Sequence, residues 1–248
     1  MRRIRTLVLP VLCVASLGAP AQQGGDLEAQ ILYAFYVEDT NALAALEQLL
    51  TTQEQTGGAD DTLRYHLAHA RYREGLLKLG RKAPAAAPSF AGCIDALKPL
   101  ADERPDNAEA LALQAACYSN LARLRKLEAV LLRTRADERI GRASKLFPHN
   151  PRVQLVLAEL GRSRARPGST ESARAAVELE QAAQAFDQST TTSVDVPGWG
   201  QAETYLELGR QLQAAGDFIG ARNWLERALL VAPDFKAAQR QLKSLVQR

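Results

Sequence analysis

Apolar positions along the chain recur in steps of three and four, and nowhere settle into a sustained two-residue alternation. That periodicity predicts helices and no sheet. The clearest instance is GDFIGARNWLERALLVAPDF, residues 216–235. Ala221, Leu225 and Ala228 lie on one stripe of a helix there, and the two alanines let a second helix press close. Gly216-Asp217 reads as a turn running into a helix start, with Asp217 as the N-cap. Pro233, five residues beyond Ala228, ends that helix.

The stripe recurs. Ala136, Ile140 and Ala143 are followed by Pro148, and Cys93, Leu97 and Leu100 by Pro105. Ala175, Leu179 and Ala182 repeat the spacing without a proline. In the three complete cases the first small residue lies twelve positions before the proline, and Ala115 and Ala158 each follow a proline by ten. Such regularity predicts helical hairpins stacked so that each buries its stripe against a neighbour.

The helix in front of residues 216–235 contains YLELGRQL, with Tyr205, Leu208, Gly209 and Leu212 in a large-x2-Leu-Gly-x2-large arrangement. On these positions the stretch from Ala202 to Phe235 resembles a tetratricopeptide repeat, with leucines in place of the usual aromatics at Leu212 and Leu225. YHLAHARY, NAEALALQAACY and NPRVQLVLAELG resemble it more loosely. Through QAACY, NPRVQLVLAELG and GWGQAETYLELG, the chain is similar to exported bacterial tetratricopeptide-repeat proteins. That resemblance implies an architecture and no reaction. The architecture is all-α, a right-handed α-α superhelix of antiparallel hairpins whose first helices line a concave groove. The groove residues it implies are Tyr65, His69 and Tyr72; Arg152, Leu155, Glu159 and Arg162; and Glu203, Leu206, Arg210 and Gln213. Interleaved aromatic, apolar and arginine side chains suit an extended peptide or protein segment as partner.

The same pattern divides the chain. Residues 22–56 are predicted as an N-terminal hairpin broken near Asp39-Thr40, and 60–187 as three degenerate hairpins. Residues 188–200 form a Ser/Thr-rich linker. Residues 201–248 form the best-matched unit plus a closing helix with Phe235, Ala238, Leu242 and Leu245 on one face. Between paired small residues the last unit spans twelve positions (Gly209 to Ala221), while the others span 25 (Ala68 to Cys93), 21 (Ala115 to Ala136) and 17 (Ala158 to Ala175). The surplus is expected in the hairpin turns, GRKAPAAAPS being one such insertion.

Residues 1–21, MRRIRTLVLPVLCVASLGAPA, have the order of a secretory signal peptide: arginines, an apolar run, then small residues. Leu12 is too bulky for lipoprotein cleavage at Cys13, so cleavage is expected after Ala21, with export to a bacterial periplasm. Three of the 31 Lys+Arg lie in that segment, which has no acid, so the remainder carries 28 of each sign. The basic balance of the full chain therefore argues for no nucleic-acid partner. No later stretch is apolar and long enough for stable membrane insertion.

Candidate chemistry is sparse. His66, His69 and Glu74 are a metal-like grouping, but the H-E-x-x-H spacing is absent and no metal site is expected. Cys93 and Cys117 remain after signal removal; a bridge between them is possible in an oxidising compartment, and so is simple packing of Cys93 as a large alanine. Arg162, Arg164 and Arg166, with Arg133, Arg135 and Arg139, make basic patches that suit an acidic partner or anionic lipid, but the reading favoured for such clusters is a solvated helix face. Trp199, between Gly198 and Gly200, reads as an anchor pinning a long loop to the stack. Serine-hydrolase, phosphate-loop and dinucleotide signatures are missing, so no catalytic residue and no cofactor are predicted. The expectation is a non-enzymatic interaction protein of the cell envelope. The alternative is a glycan-acting envelope enzyme or its accessory subunit, which would need paired carboxylates converging in a cleft.

Overall fold

The computed structural model describes residues 20–57, 60–81, 83–104, 106–166, 168–189 and 198–246. Residues 1–19 of the expected signal peptide, most of the 188–200 linker and Pro105 lie outside them. Helices α1 (Pro20–Tyr36), α2 (Thr40–Gly57), α3 (Asp61–Arg81), α4 (Ala87–Glu103), α5 (Ala108–Leu124) and α6 (Ala129–Leu146) make three hairpins. Helices α7 (Pro151–Arg164), α8 (Thr170–Gln188), α9 (Gln201–Ala215) and α10 (Phe218–Val231) make two more, and α11 (Lys236–Val246) follows. No strand occurs among the described residues, and each helix packs against its successor. The fold is an all-α stack of hairpins, as the periodicity requires.

Local chemistry sets the boundaries. Asp217 caps α10, its carboxylate accepting the Gly220 amide at 2.9 Å. Asn150 accepts the amides of Arg152 and Val153 at the start of α7, and Asn107 that of Ala110 at the start of α5. Asp39 does the same for Asn41 and Ala42, so the predicted break near Asp39-Thr40 is where α2 begins. Caps of this kind stabilise a helix by about 1 kcal/mol each. The four predicted stripes are buried throughout, Ala221, Leu225 and Ala228 completely. Gly209 lets α9 meet α10, since a Cβ there would stand 2.7 Å from Cγ of Leu225. Cys93 and Cys117 are joined by a disulfide tying α4 to α5, so the bridged alternative holds.

The surplus residues do not sit where the sequence suggested. Helix α3 has 21 residues and α8 has 19, against 15 and 14 for α9 and α10. Much of the extra length extends helices rather than turns: within GRKAPAAAPS, Pro84 lies in a short 3-10 turn and Pro88 in the first turn of α4. Proline fits a helix's first turn because no amide there needs an intrahelical partner. The added length at the end of α3 lines the concave side, through Leu76, Leu77, Leu79 and Gly80.

The two ends of the stack also meet. Phe35 and Tyr36 at the end of α1 pack on Phe235, with ring centroids 6.1 and 4.6 Å apart. Lys236 donates to the Val37 carbonyl at 2.6 Å, and Arg240 pairs with Glu38. The first helix and the last are thus neighbours across the concave side.

Candidate functional site

The concave side is divided by Trp199. Only 2 % exposed, it donates its indole N–H to the Tyr65 hydroxyl at 2.7 Å and accepts a 2.9 Å hydrogen bond from Arg152 Nε on its carbonyl. The Gly198 amide donates to Glu28 of α1 at 2.9 Å. Gly200 turns the chain into α9 with φ 108°, and a Cβ there would strike Phe186 at 2.6 Å, so only glycine fits. The linker's last residues are therefore pinned into the groove, confirming Trp199 as an anchor.

Around this plug lies a buried polar network. Arg73 of α3 is 2 % exposed; its Nε donates to Nε2 of His69 at 2.8 Å and its guanidinium pairs with Glu203 at 2.5 Å. It also stacks on Phe35, 4.5 Å from the ring centroid. Glu203 in turn accepts the Gly200 amide and the Tyr36 hydroxyl. Burial first, then the Arg73 charge, hold the His69 imidazole well below its ordinary range. It is neutral, with Nε2 as acceptor, so it is not a free ligand. Glu74 turns to Ser89 and Lys78 instead, at 2.6 and 2.7 Å. The His66–His69–Glu74 grouping therefore does not converge on one point.

Beyond the plug, the C-terminal halves of α3 and α5, the inner faces of α7 and α9, the end of α1 and the start of α11 enclose a cavity of about 760 Å³. Its floor is apolar and aromatic, from Phe35, Tyr72, Leu155, Trp199, Leu206 and Phe235. Its rim carries Arg81, Arg123, Arg162, Arg210 and Arg240. Arg81, Arg123 and Arg162 lie in the last turns of α3, α5 and α7, where cations offset the helix dipole. Glu207 pairs with Arg162 and lies 3.6 Å from Arg210. Arg123 makes no hydrogen bond or ion pair among the described residues. Glu159, also without a hydrogen bond, faces the cavity, and burial pushes its carboxyl up to about 7, the charges of Arg162 and Arg73 notwithstanding.

Of the eleven groove residues expected, Tyr72, Leu155, Glu159, Arg162, Glu203, Leu206 and Arg210 line this basin. Tyr65, His69 and Arg152 do not reach its surface. They lie at the N-terminal ends of α3 and α7, buried beneath Trp199 and engaged by it or by Arg73. Gln213 turns to Ser244 and Gln241 of α11. Glu203 lines the basin but is bound by Arg73, Tyr36 and the Gly200 amide. The arginine clusters are partly paired rather than simply solvated: Arg139 with Asp102, and Arg164 with Asp137. Sequence spacing missed Arg73, Arg123 and the whole contribution of α5, because only contact across the concave side shows it.

No family model matches the chain, and no curated protein matches it. Among solved structures it is similar to the HusA haemophore from Porphyromonas gingivalis, with a TM-score of 0.62 at 17 % identity. The likeness covers 82 % of this chain and 94 % of that one. At that identity it concerns the fold. No described helix is long and apolar enough to cross a membrane.

Proposed function

We propose that the chain is an exported, non-enzymatic binding protein of the bacterial envelope, built on degenerate tetratricopeptide repeats, whose basin holds a compact amphiphilic anion. The observation that carries this is Trp199 across the concave side. An extended polypeptide threading the groove would meet the plug, whereas the space beyond it, about 760 Å³, is of small-molecule size. An apolar, aromatic floor suits a flat or greasy body. Rim arginines suit carboxylates, which they can grip through paired, charge-assisted hydrogen bonds. The fold it shares with a haemophore supports the same reading. A tetrapyrrole here would be held by faces and carboxylates, because the basin lining includes no His, Cys or Met and burial holds the Tyr72 phenol protonated, well above its ordinary range.

Titrating the purified chain with haemin and with metal-free protoporphyrin tests this, following absorbance and heat. Saturable binding of both, one per chain, is expected, weakened roughly tenfold by Arg123→Ala with Arg210→Ala. Saturation by neither, or binding indifferent to the rim, would refute it.

One observation favours the enzymatic alternative: Glu159, with its raised pKa, shares the basin with Glu203 and Glu207, the carboxylate convergence that glycan chemistry needs. Both neighbours are, however, occupied by arginines. Turnover of peptidoglycan fragments abolished by Glu159→Gln would promote this alternative.

A further inference from the structure

The turn joining α5 to α6 ends in an apolar stripe left exposed among the described residues. Leu127, Val130 and Leu131 are 104, 79 and 56 % exposed and stand at steps of three and four, so they share one face. Their neighbours Ala129 and Leu132 are buried, which fixes the direction in which the stripe points. Cations surround it: Arg123, Arg125, Lys126, Arg133 and Arg135 against Glu128 alone between residues 123 and 135. Arg125 pairs with Glu128 at 3.4 Å and Arg135 is drawn to Tyr118. The side chains of Lys126 and Arg133, like that of Arg123, make no hydrogen bond or ion pair among the described residues.

In a stack of antiparallel hairpins the turns inside hairpins fall on one edge. The last hairpin shows the same feature there, with Phe218 and Ile219 exposed in the first turn of α10. The basin belongs to this edge too, since its rim comes from the ends of α3, α5 and α7 that run into those turns. Two apolar tips on separate hairpins, one set in excess positive charge, match a broad, negatively charged surface with an apolar interior. We infer that this edge docks peripherally on an anionic lipid bilayer, the apolar tips entering the headgroup boundary and Arg123, Lys126 and Arg133 meeting lipid phosphates. Docking of this kind needs no spanning segment, and it turns the mouth of the basin toward the membrane. It stands independently of what the basin holds.

The experiment is co-sedimentation of the purified chain with vesicles of phosphatidylcholine alone or mixed with phosphatidylglycerol, at low and high salt. Binding to the mixed vesicles only, weakened by salt, is expected. Leu127→Ser with Val130→Ser and Leu131→Ser should cut it roughly tenfold or more, as should Lys126→Gln with Arg133→Gln. These side chains are solvated, so both variants should keep the wild-type melting temperature. In a Leu127→Trp variant, emission should shift to the blue on adding anionic vesicles. Absence of binding to the mixed vesicles, or binding untouched by the serine variant, overturns the inference. So does a lipid-free dimer that the serine variant dissociates, which would assign the tip to a second copy of the chain.

Discussion

Replacing Glu159 by Gln is expected to stabilise the protein in alkaline solution and to change little in acid. Burial lifts the Glu159 carboxyl from an ordinary 4.5 to about 7. Between those values the folded chain keeps a proton that the unfolded chain has released, so the unfolding free energy falls as pH rises through that window. Each unit of difference corresponds to about 1.4 kcal/mol, so the ionised carboxylate costs about 3 kcal/mol by pH 8. His69 acts in the opposite sense. Its imidazole stays neutral in the folded chain while the unfolded chain takes up a proton near 6.5, so stability is lost as pH falls below that value. The two windows overlap, and the wild type should show a flatter pH profile there than either group alone would produce. Urea unfolding followed by far-ultraviolet ellipticity at several values from pH 5 to pH 8 separates them. Glu159→Gln should exceed wild type by about 3 kcal/mol at pH 8 and by less than about 1 kcal/mol at pH 5, leaving the acid sensitivity of His69 exposed. A difference between Glu159→Gln and wild type that stays constant with pH would show that the basin does not penalise the charge.

Other substitutions test the plug, the bridge and the stack. Trp199→Ala should cost about 3–5 kcal/mol and open the basin further, read as raised binding of an anilinonaphthalene dye; an unchanged melting temperature would deny the anchor. Removing the Cys93–Cys117 bridge, whose partners are 24 positions apart, should cost about 3 kcal/mol, and dithiothreitol should lower the melting temperature of wild type but not of the Cys93→Ala, Cys117→Ala variant. Ala221→Leu should cost about 1–3 kcal/mol, because the stripe is packed without slack against α9; a neutral outcome would remove Ala221 from that contact.

The repeat was legible in the sequence because burial enforces it. A stripe position must be small or well shaped whichever hairpin it serves, so Ala136, Ala175 and Ala221 carry the same mark and are all buried. Asp217 was legible for the same kind of reason, since a helix start needs a local acceptor. The length of α3 was not. GRKAPAAAPS contains every turn signal, yet proline serves equally well in a turn and in the first turn of a helix, and only packing against α3 selects the second. The groove was half legible. Helical spacing identifies a face, and Tyr65, His69 and Tyr72 do share one, but it cannot say how far along that face solvent reaches. That limit is set by Trp199, 134 positions from the tyrosine it bonds.

The position of that plug bears on what kind of ligand the proposed binding function would take. Where hairpins stack without obstruction, the concave face is a continuous trough and suits a chain laid along it. Here one loop residue fills one part of the trough, Arg152 and Tyr65 hold it there, and the long α3 extends along the other. The contact of α1 with α11 then closes the side that an open stack would leave free. Each of these features shortens the accessible groove, and together they exchange length for depth. A ligand gains most from depth when its apolar body is compact and its charges lie at one end, which places the carboxylates on the arginine rim and the body over Tyr72 and Trp199. Arg123, the rim arginine without a side-chain hydrogen bond or ion pair among the described residues, also stands at the foot of the apolar tip, so one side chain links the two surfaces. Losing it should therefore weaken both ligand uptake and bilayer contact, whereas losing Arg210, which shares a hairpin with the Phe218–Ile219 tip but faces Glu207 at 3.6 Å, should weaken uptake more than bilayer contact. If the Arg123 and Arg210 variants behave alike in both assays, the basin and the docking edge are not coupled through this residue.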